Sequence, residues 1–171
     1  MGGGGGNNRS LTPEETRKLS ELVARKISEA ARPTRNVFIS FAAENLDEVN
    51  LLRGQAKNEN VDIVFNDWSL KAPFDSKNAE YIRRGIRDRI RQSSVTVVYL
   101  SPEAARSKWV DWEIRESLRL GKAVFAMHKG DRPPSKLPPA ISEAKIRVVP
   151  WNHAQLSTAI DEALGQRGSQ H

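Results

Sequence analysis

The sequence predicts an α/β fold in which helices cover both faces of a five-stranded parallel sheet, with an extra helix before the sheet at the N-terminus. Two observations predict this fold. From Asn36 onward, short apolar segments alternate with amphipathic segments in five strand-helix repeats, which is the pattern of a parallel sheet with helical connections. The third apolar segment, residues 95–100, is apolar almost throughout, as expected for a strand that helices cover on both sides.

The composition excludes several classes of protein. With 171 residues, 38% hydrophobic and 28% charged, the chain is typical of one globular domain with an appendage. It has no cysteine, which excludes disulfides, thiolate catalysis and cysteine-ligated metals. Its three histidines, His128, His153 and His171, lie far apart along the chain, so we expect no metal site.

Charge and hydropathy indicate which ligands the protein attracts and whether it enters a membrane. The net charge of +6 favours anionic ligands. The basic segment at residues 82–91 has no interleaved aromatic residues, however, and we expect no specific nucleic-acid binding. No apolar run reaches the roughly 18 residues of a membrane span, and no basic segment followed by an apolar one opens the chain. We therefore expect a cytoplasmic protein without membrane contact.

Four parts of the chain are predicted. Residues 1–10 form a glycine-rich tail that we expect to be disordered. Residues 11–32 form the N-terminal helix, residues 35–165 form the α/β domain, and residues 166–171 form a C-terminal tail.

The N-terminal helix has a clear start. Thr12 is a good N-cap, Pro13 suits the first helical position, and Glu15 completes a capping box. The helix is predicted to end near Ala31 and to carry an apolar face that needs a partner surface. That face consists of Leu19, Leu22, Val23 and Ile27.

The α/β domain is predicted in the following order. Strands are expected at residues 37–41, 61–65, 95–100, 123–127 and 146–149. Helices are expected at residues 46–56, from residue 82 or earlier to residue 92, at 107–121 and at 155–164. In the second of these helices Ile82, Ile86 and Ile90 recur every four residues, so they are predicted to be buried while the arginines cover its solvated flanks.

The helix at residues 107–121 organises the candidate site. Ser107 can cap its first turn and Gly121 can end its last turn. Its predicted buried stripe consists of Val110, Ile114, Ser117 and Leu118. Trp109 and Glu113 stand one turn apart beside that stripe, and we expect them together at the rim of the buried face. An indole next to a carboxylate suits a small ligand with an aromatic ring and a sugar.

The topology predicts where a ligand would bind. In open parallel sheets, ligands bind outside the carboxyl ends of the strands, near the point where the strand order reverses. The segments at those ends are residues 41–45, 66–75 and 100–109. Because the helix at residues 107–121 begins at the third of them, Trp109 and Glu113 are predicted to lie beside the crevice.

Three segments together resemble the TIR fold, and in particular the TIR-like branch found in Thoeris anti-phage defence. They are Phe-Ile-Ser-Phe at residues 38–41, Asp-Trp-Ser-Leu at 67–70 and Ser-Lys-Trp-Val-Asp-Trp-Glu-Ile at 107–114. The likeness extends over residues 35–151. It implies a flavodoxin-like, TIR-like three-layer fold and an enzyme that consumes NAD+ as its substrate, with no separate cofactor.

The resemblance also implies roles for individual residues. Glu113 matches the catalytic glutamate of enzymatic TIR domains, and Trp109 matches the aromatic residue one turn earlier. The loop after the second strand, which includes Asp67 and Trp68, is implied to shape the substrate pocket. Phe41 ends the first strand at the crevice and is a further candidate for substrate binding, although alternation along the strand would equally bury it.

Thoeris TIR-like proteins sense infection and make a cyclic ADP-ribose-type signal that activates a separate effector. The resemblance therefore implies a hydrolase or ADP-ribosyl cyclase with an effector protein, a phage component as trigger and a homo-oligomeric state. Two alternatives stay open: a non-catalytic TIR adaptor that works by assembly, and an enzyme like the nucleoside deoxyribosyltransferases. The sequence does not decide between a linear and a cyclic product.

Overall fold

The computed structural model describes residues 9–31, 34–60, 62–67 and 72–168. The chain divides into two units, Met1–Pro33 and Thr34–His171, and each is described by itself. Most of the tail predicted at residues 1–10 lies outside the described residues.

The first unit contains helix α1 (Pro13–Ala31), which has the predicted bounds. The Glu15 backbone N–H donates to Thr12 Oγ1 at 3.2 Å, and the Thr12 backbone N–H donates to Glu15 Oε2 at 2.8 Å. This reciprocal pair is the predicted capping box. The four side chains of the predicted apolar face, Leu19, Leu22, Val23 and Ile27, are all exposed.

The second unit is built on a five-stranded parallel sheet. Its strands are β1 (Arg35–Ser40), β2 (Ile63–Asn66), β3 (Val95–Leu100), β4 (Ala123–His128) and β5 (Val148–Pro150). They lie in the order β2-β1-β3-β4-β5, and every neighbouring pair is parallel. This is the flavodoxin-like strand order, whose direction reverses between β1 and β3. The predicted fold class is therefore confirmed.

Six helices accompany the sheet in the described part of this unit. They are α2 (Leu46–Glu59), α3 (Ala79–Gln92), α4 (Pro102–Arg106), α5 (Lys108–Arg119), α6 (Pro139–Glu143) and α7 (Leu156–Gly168). The predictions missed the two five-residue helices, although Ser101 before Pro102 is an N-cap signal: its hydroxyl accepts from the Ala104 backbone N–H at 2.9 Å. Helix α7 also takes in residues 166–168, which were assigned to a tail. Within the described ranges, no helix is both long and apolar enough for a membrane span.

The two faces of the sheet pack against different helices. On the α2 face, which α2 and α7 cover, Val37 and Ile39 of β1 pack with Ile160 of α7 in one apolar cluster. On the α5 face, which α3, α4, α5 and α6 cover, Phe38 packs with the α3 isoleucines, and Val98 packs with residues of α4, α5 and α6. Every residue of β3 is buried, as its composition predicts.

The buried side of α5 differs from the prediction. Leu118 was expected in the buried stripe, but it is 39% exposed. The buried residues of the helix are Trp109, Val110, Glu113, Ile114, Glu116 and Ser117. At about 100° per residue, this arc is centred between Glu113 and Ser117, and Leu118 lies about 120° from its centre. The sheet therefore receives the polar row of the helix as well as the apolar one.

Candidate active site

Helix α5 is a rigid support because both of its ends are closed. At the start, Ser107 Oγ accepts from the Val110 backbone N–H at 3.2 Å. At the end, Gly121 adopts a φ of 68°, a conformation that glycine takes without strain. The Gly121 N–H donates to the Leu118 carbonyl and the Lys122 N–H to the Ser117 carbonyl, each at 2.9 Å. These two bonds form a Schellman motif, and both predicted caps are confirmed.

Glu113 lies at the point where the strand order reverses, and its exposed fraction is 0%. The hydroxyl of Ser40, the last residue of β1, donates to Glu113 Oε2. One turn further along α5, Ser117 Oγ donates to the Glu113 carbonyl at 2.7 Å and lies 2.8 Å from Thr96 Oγ1 of β3. The prediction placed Glu113 at the rim of the buried face. It lies deeper because hydroxyl groups on β1 and β3 receive this row of the helix.

Trp109 stands one turn before Glu113 and is only 7% exposed. Its Nε1–H donates to the Ala72 carbonyl at 2.7 Å. The Phe74 ring meets the indole edge-on with centroids 4.9 Å apart, and the Trp112 ring lies perpendicular to it at 6.0 Å. These contacts fix the indole at the entrance to the buried row.

Two arginines of α3 pack over these rings. The Arg83 guanidinium carbon lies 4.4 Å from the Phe74 centroid and 5.5 Å from the Trp109 centroid. The Arg87 guanidinium carbon lies 5.7 Å from the Trp112 centroid. Such contacts are cation-π interactions. The prediction that the arginines only cover solvated flanks is therefore wrong for these two.

Glu116 is a second buried carboxylate on α5, and it forms ion pairs with two arginines. Arg119 Nε donates to Glu116 Oε2 at 2.9 Å, and Arg87 Nε donates to Glu116 Oε1 at 2.7 Å. The hydrogen bond from Arg119, with the smaller contribution of Arg87, outweighs burial and lowers the pKa of Glu116 to about 2. Glu116 therefore stays ionised near neutral pH and acts as a structural anchor between α3 and α5.

Two adjacent cavities open near the start of α5. The Trp109 cavity has a volume of about 360 Å³, and its lining includes Glu44, Glu103, Arg106, Ser107 and Trp109. The Trp112 cavity has a volume of about 420 Å³, and its lining includes Phe74, Arg106, Ser107, Lys108, Trp112 and Arg115. Both volumes are in the range of small-molecule sites. Glu113 stands one turn after Trp109 on α5 and is not among the residues that line either cavity.

Comparison with known proteins identifies the family. The family model for the TIR-like domain of the Thoeris protein ThsB matches residues 38–133, which is more than half of the chain. The chain belongs to this family. It is therefore a TIR-type module of antiviral defence, as the resemblance implied. The matched segment contains Ser40, Trp109 and Glu113.

Other comparisons add little to this assignment. No curated protein matches this Thoeris TIR-like domain. Among solved structures, the FeoB G-domain from Methanococcus jannaschii is similar with a TM-score of 0.47 and 13% identity, over 78% of this chain and 99% of that chain. A similarity this low has no bearing on function.

Of the four predicted site residues that the structure describes, it brings two together, Trp109 and Glu113. Phe41 is buried in the apolar cluster of the α2 face, on the other side of the sheet from Glu113. Asp67 follows β2, and its carboxylate pairs with Arg53 of α2 at 2.9 Å. Trp68 lies outside the described residues. The roles of all five residues remain predictions.

Several residues of the site were missed by sequence reasoning. Ser40 lies two positions after Phe38 and therefore shares its side of the strand, and this spacing is the signal that points to it. Arg83 lies beside Ile82 on a helix whose isoleucines are buried, which was a signal for partial burial. Phe74 lies in a connection and Arg106 ends the five-residue helix α4, and periodicity gives no signal in either place. In the described part of the chain, no three His, Asp or Glu side chains are arranged to hold a metal.

Proposed function

We propose that this Thoeris TIR-like domain is an NAD+ glycohydrolase or ADP-ribosyl cyclase that cleaves the bond between nicotinamide and ribose. One observation carries the proposal. A glutamate on a doubly capped helix lies at the strand-order reversal, with its carboxylate held by Ser40 and an indole one turn away. The Trp112 ring lies perpendicular to that indole, and the Arg83 guanidinium packs over it. A positioned carboxylate beside an aromatic ring suits a cationic ring joined to a sugar.

The chemistry needs only one carboxylate. Ordinary glycosidases use two, one of which protonates the leaving group. The nicotinamide of NAD+ is a pyridinium, so it takes the electron pair of the broken C1′–N bond and leaves as a neutral molecule without a proton. The remaining ribose carries positive charge at C1′. Glu113 would stabilise that charge and hold the ribose hydroxyls.

Trp109 would bind the pyridinium ring before cleavage. A cation over an indole contributes about 0.5 to 2 kcal/mol, and this attraction ends once nicotinamide is neutral. Water attacking C1′ would lose a proton and give ADP-ribose. A ring nitrogen of the adenine of the same molecule would instead give a cyclic ADP-ribose-type product. Exclusion of water from the closed site favours the second route.

Access to Glu113 requires movement. Because the carboxylate has no exposed surface, the ribose can reach it only after side chains above it shift. Trp109, with its hydrogen bond to Ala72 and its contact with Phe74, is the group that we propose moves. We further propose that a phage component triggers the enzyme and that a homo-oligomer is its active state. Its product would activate a separate effector protein in the cytoplasm.

The test is incubation of the protein with NAD+, with and without extract of infected cells, followed by mass spectrometry of the products. We expect nicotinamide together with ADP-ribose or its cyclic form. Glu113→Gln, which keeps the shape of the side chain, should abolish release. Glu59→Gln removes an exposed carboxylate at the end of α2, on the other face, and is the matched control. Equal release by the wild type and Glu113→Gln would refute the proposal.

A non-catalytic assembly module is the second candidate, and the closed site favours it. A glutamate with 0% exposure that accepts a hydrogen bond from Ser40 also fits a role in anchoring α5 to β1. In that case no condition would release nicotinamide, and Glu113→Gln would alter only the stability or self-association of the protein. Thermal unfolding and sedimentation of the two proteins would show this result.

A further inference from the structure

Helix α1 is amphipathic, and the large side chains of its apolar face are exposed. Leu19, Leu22, Val23 and Ile27 have exposed fractions between 46% and 64%. An isolated helix of 19 residues is only marginally stable in water, and most helices in proteins are stabilised by the packing of their apolar face. Helix α1 also lies outside residues 38–133, the segment that the family model matches. The apolar face therefore calls for an occupant that the TIR-like domain itself does not explain.

The charges of α1 argue against a membrane as this occupant. Helices that bind a membrane surface carry an excess of lysine and arginine on their polar face. Helix α1 contains four acidic and four basic residues, so its charges balance. On the polar side, Arg17 pairs with Glu21 at 3.8 Å and Lys18 pairs with Glu14 at 2.8 Å. The helix therefore lacks the excess of positive charge that attracts anionic lipids.

The described surface of the α/β domain has no apolar stripe that matches α1. Its exposed large hydrophobic side chains are Leu51 on α2, Val64 on β2, Tyr81 on α3 and Leu118 on α5. Among the described residues of this domain, no helix or strand has more than one of them. Single apolar side chains of this kind are normal on a protein surface. A second copy of α1, by contrast, has an apolar stripe of the same length.

One line of side chains along α1, here named the α1 stripe, has the same spacing in both directions. Glu15, Leu19, Leu22 and Lys26 follow one another at intervals of four, three and four residues, which places them on one side of the helix. The two leucines form the centre, with a carboxylate at the first end and an ammonium group at the last. Val23 lies beside the leucines and widens the apolar contact. Reversing the helix therefore exchanges leucine for leucine and carboxylate for ammonium.

Both charged ends of the α1 stripe are accessible to a partner. Lys26 is exposed, and among the residues that the structure describes it has no ion-pair partner. Glu15 accepts the Thr12 backbone N–H in the capping box and pairs with Arg9 at 3.1 Å, but its side chain remains 43% exposed. A carboxylate has about four acceptor positions. Glu15 can therefore accept a hydrogen bond from a lysine of another helix and still cap its own.

We infer that α1 pairs with α1 of a second copy of this chain, in antiparallel orientation. Leu19 then packs against Leu22 of the partner subunit, and Glu15 faces Lys26 of the partner subunit. A two-fold axis between residues 20 and 21 repeats both contacts. A parallel pair would instead bring the two Glu15 side chains together and the two Lys26 side chains together, so charge selects the antiparallel pair.

The pair is small and independent of the proposed reaction. Two helices of 19 residues form a contact smaller than a standard protein interface, so the association is reversible and depends on concentration. Neither Glu113 nor the two cavities take part in it. The pair thus gives this chain a means of bringing two copies together that does not use the TIR-like domain.

Sedimentation equilibrium of the full chain over a range of concentrations measures the pairing. We expect an equilibrium between monomer and dimer for the wild type. Leu22→Ala keeps a residue that favours helix but truncates two contacts in each dimer. It should raise the dissociation constant about a hundredfold. Circular dichroism checks that each variant keeps its helix content.

Charge reversal tests the orientation. Lys26→Glu places carboxylates opposite each other at both ends of the pair and should weaken it about tenfold. Adding Glu15→Lys restores opposite charges and should recover the affinity. Arg17→Glu makes the same change of charge about 200° around the helix from Glu15, and it should have no effect. Glu15→Gln keeps the capping box, should weaken the pair about threefold, and replaces the double variant if that variant loses helix.

Several outcomes would overturn the inference. A chain that is monomeric at every concentration has this face covered within the chain or by a different protein. A dimer that Leu22→Ala leaves unchanged forms through another surface. A dimer that Lys26→Glu leaves unchanged, or that Arg17→Glu weakens equally, is not the antiparallel pair.

Nicotinamide release is measured separately, so that the pairing and the proposed reaction fail independently. Release by a chain that remains monomeric refutes the pairing alone. Pairing by a chain that never releases nicotinamide, with or without extract of infected cells, refutes the reaction alone.

Discussion

The two faces of the sheet differ in the polarity of the side chains that they bury. The α2 face is closed by aliphatic and aromatic side chains of β1, β3, β4 and α7. The α5 face carries a row of buried polar groups, formed by Ser40, Thr96, Glu113 and Ser117. Burying a charge costs stability unless it is paired or hydrogen-bonded. The α2 face is therefore apolar, whereas the α5 face combines apolar clusters with buried polar groups that are hydrogen-bonded to one another.

The largest expected effect is on the apolar face. Ile160 of α7 is fully buried there, and Ile160→Ala should lower the free energy of unfolding by about 4 kcal/mol. Denaturant unfolding measures this loss. Nicotinamide release per folded molecule should stay near the wild-type value, because Ile160 lies across the sheet from Glu113. A loss of turnover per folded molecule would show that the apolar face also contributes to the reaction.

The next effect is on the acid stability of the polar face. Glu116 has its pKa lowered from 4.5 to about 2, chiefly by Arg119. Its stabilising contribution is therefore fully present above pH 4.5 and is lost as the pH falls towards 2. The contribution is about 3 kcal/mol at most. Unfolding free energies of the wild type and Glu116→Gln should converge between pH 5 and pH 2, and a constant difference would contradict the assignment.

Ser40 tests how much a single hydrogen bond of the polar row contributes to stability. Ser40→Ala leaves the buried Glu113 carboxylate without this donor and should cost about 2 kcal/mol of stability. Ser40→Thr restores a hydroxyl and should recover much of it. Thermal unfolding of the three proteins measures both effects. Equal losses in the two variants would show that packing, and not the hydrogen bond, matters at this position.

The smallest effect concerns the indole of Trp109. Trp109→Phe keeps an aromatic ring but removes the donor to the Ala72 carbonyl, which is 2.7 Å away. We expect a loss of about 1 kcal/mol of unfolding free energy. Urea denaturation resolves a change of this size. An unchanged midpoint would mean that the bond to Ala72 contributes nothing to the closed site.

Local periodicity predicted much of this architecture. Val49, Leu52 and Ala56 on α2 and the isoleucines at positions 82, 86 and 90 on α3 are buried, because spacing alone sets the face of a helix. Trp109 and Glu113 were placed together for the same reason. These are relations within one helical turn, and tertiary contacts leave them unchanged.

The misses at the site itself involve partners on other elements. The depth of Glu113 depends on Ser40, which is 73 residues away. Asp67 follows β2 but pairs with Arg53 of α2, and Phe41 joins the apolar cluster of the α2 face. Spacing along the chain does not show which side of a sheet receives a loop carboxylate or the last side chain of a strand. The sequence therefore predicted that Trp109 and Glu113 lie together, but it did not predict which other residues surround them.

The perpendicular contact between Trp109 and Trp112 has an optical consequence. An indole shielded from water fluoresces at shorter wavelength than a hydrated one, and a nearby guanidinium alters its intensity. Any rearrangement that uncovers Glu113 by displacing Trp109 would red-shift the emission. The protein thus carries its own reporter of site opening, and its kinetics can be followed without a label.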